Sequence, residues 1–355
     1  MYEEFEGTQP VSERMKVDLG ALAAYMREHV AGFGGELQIE QFKGGQSNPT
    51  FRLTAGQQRY VLRTKPAPAA KLLPSAHAID REYRVMDALS KAGFPVARQH
   101  ALCVDESVIG RAFYLMEFVD GRVLWDQSLP GMTREQRAAH YDEMNRVIAQ
   151  LHSLDYRALG LESFGKPGNY FARQIDRWTK QYKAAETEQI AAMDALIDWL
   201  PQNIPAGEIT TIVHGDYRLD NMIFHPTEPR ILAVLDWELS TLGHPLADFS
   251  YHCMSWHIAP GLFRGIGGLD LPSLGIPTED EYVAKYSERT GIAVNKEDLR
   301  FYLAYNMFRM AGILQGIMKR HQEGTASSEQ ALRSGQAARP MAEMGWAYAS
   351  GAKAL

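Results

Sequence analysis

The chain has 355 residues, 45% of them hydrophobic and 23% charged, which suits one large core or two modest ones and excludes a disordered or fibrous protein. A formal net charge of −6 offers nothing that would draw the chain as a whole to a nucleic-acid backbone or an anionic membrane, while leaving room for a local basic patch around a phosphorylated ligand. The two cysteines, Cys103 and Cys253, belong to no CxxC pair, so neither a disulfide framework nor a zinc knuckle is expected.

The first ten residues, "MYEEFEGTQP", are acidic and polar, unlike a secretory signal, and no apolar run reaches the ~20 residues of a bilayer span. The expectation is a cytoplasmic protein. "VDLGALAAYMREHV" (17–30) carries apolar residues at helical spacing and is closed by Gly32 and Gly34. Three strand-like runs follow, "ELQIEQF", "PTFRLTA" and "QRYVLRT"; the first gap is the turn-rich "KGGQSN", and the second is "GQ", which fits a tight hairpin. Beyond a Pro-rich link, "AHAIDREYRVMDALSKAG" reads as a helix, then strands are expected near 98–105 and 111–119. Five antiparallel strands with one helix after the third make a small α+β lobe over 37–119, preceded by a helical extension over 1–36.

From about residue 133 the character is helical. "TREQRAAHYDEMNRVIAQLHSL" is long and amphipathic, and two more helices are expected within 171–200. Short strands "TTIVH", "MIFH" and "ILAVLD" then bracket the stretch "VHGDYRLDN" (213–221). After Pro245 helices resume, apart from a Gly/Pro-rich stretch over 259–278, and the last 75 or so residues read as two or three helices. The second, larger lobe would be 120–355.

Asp216, Asn221 five residues on, and Asp236 after two short strands form the layout that a magnesium-dependent phosphoryl transfer from ATP requires. Mg²⁺ takes oxygen ligands and keeps several waters, so one carboxylate (Asp236) and one amide (Asn221) suffice as protein ligands. Asp216 would accept the proton of the attacking hydroxyl. The hairpin between "NMIFH" and "ILAVLD" would return Asp236 to the side of Asn221. Singly, Asp216 and Asp220 read as loop caps, Asn221 as a turn former and Asp236 as a helix cap; the joint pattern favours the chemistry.

"VHGDYRLDN" and "VLDWE" resemble the catalytic segments of the aminoglycoside phosphotransferase and choline kinase group, which has the two-lobed protein-kinase-like fold. The continuation "LSTLGHPLADFSY" resembles the branch found as free bacterial phosphotransferases and as the N-terminal kinase region of acyl-CoA dehydrogenase fusion proteins. The motifs span about 40–257, and the kinase-like region uses the chain's length, so a flavin-binding dehydrogenase part is not expected.

The resemblance implies a nucleotide-clamping first lobe. Backbone N–H groups of Gly45, Gln46, Ser47 and Asn48 in "FKGGQSNPTFRL" would face phosphate oxygens, although a Gly-Gly hairpin turn is the plain alternative. Arg63, with Lys65 as its competitor on the same strand face, would hold the α- and β-phosphates and pair with Glu82; Arg81 or Arg84 could pair with it locally instead. In "YLMEFVDG", Met116 would lie behind the adenine, with the Glu117 carbonyl and the Val119 N–H on its edge. Asp248 would accept N–H groups of the catalytic loop, His214 would support the site near Asp236, and Glu238 would sit near the metal without ligating it or else point to solvent. Because the motif is H-G-D and only six residues separate Glu238 from Pro245, no phosphorylated activation loop is expected.

The acceptor is expected to be a hydroxyl of a small metabolite bound by the helical lobe, with a hydroxyacyl-CoA as the sharpest version. Glu186, Glu188, Asp194 and Asp198 are interspersed with lysines, which makes no acidic cradle for a polycationic sugar. Arg173, Arg177, Lys180, Arg264, Arg309, Lys319 and Arg320 are candidates to meet CoA phosphates; Phe171, Trp178, Trp199, Trp256 and Phe263 are the prominent aromatics there. The alternatives are an aminoglycoside- or choline-type kinase and an idle nucleotide-binding module. A metal-hydrolase site is disfavoured, since His252 and His257 are five apart and no HExxH occurs.

Overall fold

The computed structural model describes residues 7–43, 48–66, 78–262, 264–324 and 329–353. In chain order the elements are β1 (Thr8–Gln9), α1 (Leu19–His29), β2 (Leu37–Phe42), β3 (Thr50–Ala55), β4 (Gln58–Thr64), α2 (Ile79–Lys91), β5 (Gln99–Cys103), β6 (Phe113–Glu117) and β7 (Arg122–Val123). Then come α3 (Arg134–Ser153), α4 (Tyr170–Ala185), α5 (Ala191–Trp199), β8 (Thr211–Val213), β9 (Met222–Phe224), β10 (Ile231–Val234), β11 (Thr241–Gly243) and α6 (Pro245–Cys253). The remainder is α7 (Leu271–Leu274), α8 (Glu279–Thr290), α9 (Lys296–Gln322), α10 (Glu329–Gln336) and α11 (Ala338–Ala349). This is an α+β fold whose contacts divide it into two compact units, one of residues 1–125, 157–164 and 219–240, the other of 126–156, 165–218 and 241–355.

The first unit is built on an antiparallel sheet of order β1-β2-β3-β4-β6-β5. Alternation along β3 buries Phe51, Leu53 and Ala55 on one face, where they meet Leu22 and Met26 of α1 and Phe113 and Leu115 of β6 in one apolar cluster. Asp18 caps α1 by accepting the Ala21 N–H at 3.0 Å. The sheet has six strands, not the expected five: two residues of the N-terminal segment, Thr8 and Gln9, pair with Phe42 and Gln41. The opposite face carries α2, whose Ile79, Val85, Met86 and Leu89 are buried at helical spacing with Glu82 among them. A second small sheet, β10-β9-β7, completes this unit.

The second unit is mainly helical around α9, whose residues from Leu299 to Gln315 are largely buried and which packs against α4, α6, α10 and α11. Reciprocal capping boxes at Thr133/Gln136 and Thr278/Glu281 start α3 and α8. Four helices, α8 to α11, fill the C-terminal stretch where two or three were expected, because the chain breaks at Ala337 and Pro340 falls in the first turn of a new helix. Among the described residues no helix is long and apolar enough to cross a membrane.

Candidate active site

Within the first unit, the chemistry begins with a cross-strand row. Thr50, Arg63 and Tyr114 are register partners on β3, β4 and β6, so their side chains stand on one sheet face, beneath α2. Arg63 Nη1 donates to Thr50 Oγ1 at 3.3 Å, and its Nε lies 2.8 Å from Glu82 Oε2. Tyr114 donates its phenol to Glu82 Oε2 at 3.0 Å, and Asn48 Nδ2 donates to Oε1 at 2.7 Å. Glu82 is 2% exposed; burial pushes its carboxyl up, against the pull of Arg63, Tyr114 and Asn48. Arg63 and not Lys65 is therefore the partner of Glu82. Arg81 and Arg84 turn elsewhere, Arg81 onto the Phe164 ring and the Ser240 carbonyl, Arg84 onto Ser163 and the Gly160 carbonyl.

The same arginine reaches the second expected motif. Val234 pairs with Met222 across the β9–β10 hairpin and the Leu235 N–H donates to the Asn221 carbonyl at 2.8 Å, which brings Asn221 and Asp236 to adjacent ends of the two strands. Asp236 has φ +65°, a left-handed backbone that costs a non-glycine residue on the order of 1–2 kcal/mol. Trp237 holds that bend: it is buried, donates its indole N–H to the Val234 carbonyl at 2.9 Å, and meets Phe94 edge-on. Asp236 Oδ1 lies 3.3 Å from Arg63 Nη2, and Glu238 Oε2 lies 3.9 Å from the same nitrogen. Met116 is buried on β6, Glu117 ends that strand with its N–H on the Arg98 carbonyl, and Val119 follows two residues later. Gly45 and Ser47 lie outside the described residues.

In the second unit, β8 and β11 pair antiparallel, Val213 opposite Thr241, and the loop carrying Asp216 leaves the end of β8. Residues 241–243 are thus strand, and His244 caps α6 directly after it, its Nδ1 accepting the Leu246 N–H. Asp248, on the first turns of α6 and 2% exposed, accepts the N–H groups of His214 at 2.6 Å and Gly215 at 2.8 Å. Burial raises its carboxyl, but His152, at 3.2 Å through Nε2, and the His214 N–H hold it below the ordinary value. His214 is fully buried; its Nδ1 accepts the Asp216 N–H at 3.1 Å, which places the ring proton on Nε2.

Three contacts to the loop were not foreseen. Tyr251 donates its phenol to Asp216 Oδ1 at 2.6 Å; Arg218 Nε lies 3.2 Å from Oδ2; Arg309 Nη2 donates to the Gly215 carbonyl at 2.6 Å. Tyr251 stands three residues after Asp248 on α6, a spacing that puts both on one helix face and could have marked it. Arg309 corrects an expectation: it is 8% exposed and lies over the Trp178 and Tyr251 rings, so it braces the loop and is not a surface cation for phosphates. Arg218 and Tyr251, with Gln127, Ser255 and Arg264, line a shallow hollow with no acidic residue among its described lining. Three of the acidic residues named above are matched locally, Asp194 and Glu186 by Lys183 and Glu188 by Arg339. Phe171 and Trp256 are buried core aromatics; Phe263 lies outside the described residues.

Comparison with known proteins shows the family and the fold. The profile of the phosphotransferase enzyme family matches residues 38–288. Acyl-CoA dehydrogenase family member 10 of Mus musculus is 46% identical over 346 residues, covering 97% of this chain and 32% of that protein. The chain spans 32% of that protein and 44% of acyl-CoA dehydrogenase family member 11 of Mus musculus. A crystal structure from Ralstonia eutropha, provisionally named an aminoglycoside phosphotransferase, is 66% identical with a TM-score of 0.88, covering 95% of this chain and 99% of that one. At the level of fold alone, the chain is similar to an aminoglycoside phosphotransferase in ternary complex with AMP-PNP and hygromycin B, at 16% identity, TM-score 0.60, and 93% and 99% coverage. A choline kinase from Cryptosporidium parvum is likewise similar in fold, at 13% identity, TM-score 0.62, and 92% and 96% coverage. With a protein-kinase-like α+β fold and a family profile that spans most of its length, the chain belongs to the phosphotransferase enzyme family.

Proposed function

We propose that this phosphotransferase moves the terminal phosphoryl group of ATP to a hydroxyl of a small metabolite, with Asp216 as the proton acceptor. The observation that carries the reading is the treatment of Asp216: its loop is pinned by Asp248 through two N–H groups and its carboxylate is fixed by Tyr251. A loop braced this heavily around one partly exposed carboxylate suits a group that must meet a proton in a set direction. The reacting hydroxyl oxygen bonds phosphorus as the bond to the ADP oxygen breaks, and its proton passes to Asp216.

Asn221 and Asp236 are the residues that would hold magnesium. Both offer oxygen, the hairpin sets them side by side, and Asp236, 35% exposed at its side chain, is open to a cation that keeps most of its waters. Bound there, the ion would neutralise charge on the nucleotide phosphates. Arg63, oriented by Glu82, is the cation for the α- and β-phosphates, with Asn48 ordering the strand start by holding Glu82. Met116, Glu117 and Val119 would receive the adenine, and Gly45 and Ser47 the phosphates. Glu238, within reach of Arg63, helps to set that arginine. The division of labour is a nucleotide-clamping 37–119, after an N-terminal extension, and a catalytic and acceptor-binding 120–355.

The acceptor reading favours a hydroxyacyl-CoA or a similar anionic metabolite. Its support is the relatives named acyl-CoA dehydrogenases and a shallow hollow lined by Arg218, Tyr251 and Arg264 with no carboxylate among its described lining. Activity needs no phosphorylated activation loop, since residues 241–243 are already a paired strand. The test is a panel of hydroxyacyl-CoAs, hydroxy acids, choline and aminoglycosides with γ-labelled ATP or GTP and Mg²⁺. Label in an anionic hydroxy compound supports the reading, and label in aminoglycosides alone refutes the acceptor class.

A further inference from the structure

Asp216 is held at both carboxylate oxygens, and the two holds differ in kind. Tyr251 reaches Oδ1 at 2.6 Å from a residue that is 6% exposed, whereas Arg218 reaches Oδ2 at 3.2 Å from a side chain that is 24% exposed, and both border the hollow. The phenol has little freedom to leave. It sits on α6 one turn after Asp248, and Arg309 lies 5.4 Å from its ring centroid while donating to the carbonyl of Gly215. One buried arginine therefore ties the backbone before Asp216 to the ring that holds its side chain. Burial and the neighbouring carboxylate also push the phenol far above its ordinary range, so it remains a donor at any working pH.

We propose that Tyr251 is a positioning residue that reserves Oδ1 of Asp216, making Oδ2 the oxygen that takes the acceptor's proton. This rests on the reading of Asp216 as the base. A carboxylate with one oxygen bonded to a buried phenol cannot rotate freely, and Oδ2, met by the part-exposed Arg218 side chain at 3.2 Å, is on the side an incoming hydroxyl can meet. The step is balanced: the hydroxyl proton goes to Oδ2, the new O–P bond replaces the bond to ADP, and the proton is released to solvent with product.

The experiment compares Tyr251→Phe, Asp216→Asn and the double variant in full-length protein, with turnover measured across pH and thermal melts as a folding control. Tyr251→Phe is expected to lower kcat about tenfold with KM for ATP within about twofold, and to move the acid limb of the kcat/KM profile up by about one pH unit, the order of one lost hydrogen bond to a charged group. In the Asp216→Asn background the same change should have no further effect. Fluorotyrosine in place of Tyr251 keeps the shape and strengthens the donor, so it should move the acid limb the other way even if the Phe variant melts early. If Asp216→Asn is crippled while both Tyr251 changes leave kcat and the acid limb unmoved, the positioning role is wrong and the base reading stands. If Asp216→Asn turns over normally, both fall.

Discussion

Replacing Arg63 by Met removes the cation paired with a buried carboxylate. Glu82 is 2% exposed and Arg63 11% at the side chain, so water cannot take over as partner. Removing one member of a buried ion pair typically costs about 3–5 kcal/mol, against a total stability of about 5–15 kcal/mol for a domain. Two donors remain on Glu82, from Asn48 and Tyr114, which places the expected loss near the lower end, about 3 kcal/mol. The looser contacts to Asp236 and Glu238, at 3.3 and 3.9 Å and partly exposed, add little. Urea unfolding at neutral pH measures this, and adding Glu82→Gln tests the cause: with the buried charge gone, the double variant should recover about 2 kcal/mol relative to the sum of the singles. Lower pH should also relieve Arg63→Met, because burial holds the Glu82 carboxyl above its unfolded value and the penalty exists only where it is ionised. A loss under about 1 kcal/mol, or strict additivity in the double variant, would refute the buried-pair reasoning.

Acid should weaken the second unit for a separate reason. Burial holds His244 and His252 at about 4, below the ordinary 6.5, so the stability tied to their neutral forms is complete above pH 6.5 and is lost as pH falls towards 4. At pH 5 each contributes a loss of about 2 kcal/mol, and a urea midpoint that stays flat between pH 7 and 5 would contradict this. In the first unit, a Cβ at Gly121 would lie 2.3 Å from the Phe224 carbonyl oxygen and 2.4 Å from Ile223, at the point where β7 meets β9. Gly121→Ala should therefore cost about 1–3 kcal/mol, whereas Gly34→Ala, with nothing within 4 Å of the new atom, should leave the melting temperature unchanged.

The hairpin strands were legible because alternation over six or seven residues marks a half-buried strand, and "GQ" marks the turn between β3 and β4. β1 was not, since two residues have no period and become strand only through their pairing with β2. The motif around Asp216 is readable from residue types and spacing, whereas the brace from Asp248 is implied only by the family resemblance of its segment. Which of Arg63 and Lys65 meets Glu82 depends on where α2 crosses the sheet, and strand alternation alone leaves both on the same face. Arg309 was misjudged because a charge in a helix does not announce its direction, although its neighbours on α9 from Leu303 to Leu314 are nearly all apolar and buried. The left-handed backbone at Asp236 has no decisive local signal, because aspartate tolerates that conformation better than most residues but glycine is the one that marks it.

The most direct measurement of the assigned roles is nucleotide binding with and without Mg²⁺, paired with turnover, in Asp216→Asn and Asp236→Ala. Asp216→Asn should bind Mg·ATP nearly as the parent does while kcat falls by ~10²–10⁴-fold, and Asp236→Ala should lose the tightening of nucleotide binding by Mg²⁺. The reverse pattern, or an ATP affinity that ignores Mg²⁺ and survives Asp236→Ala, would contradict the account.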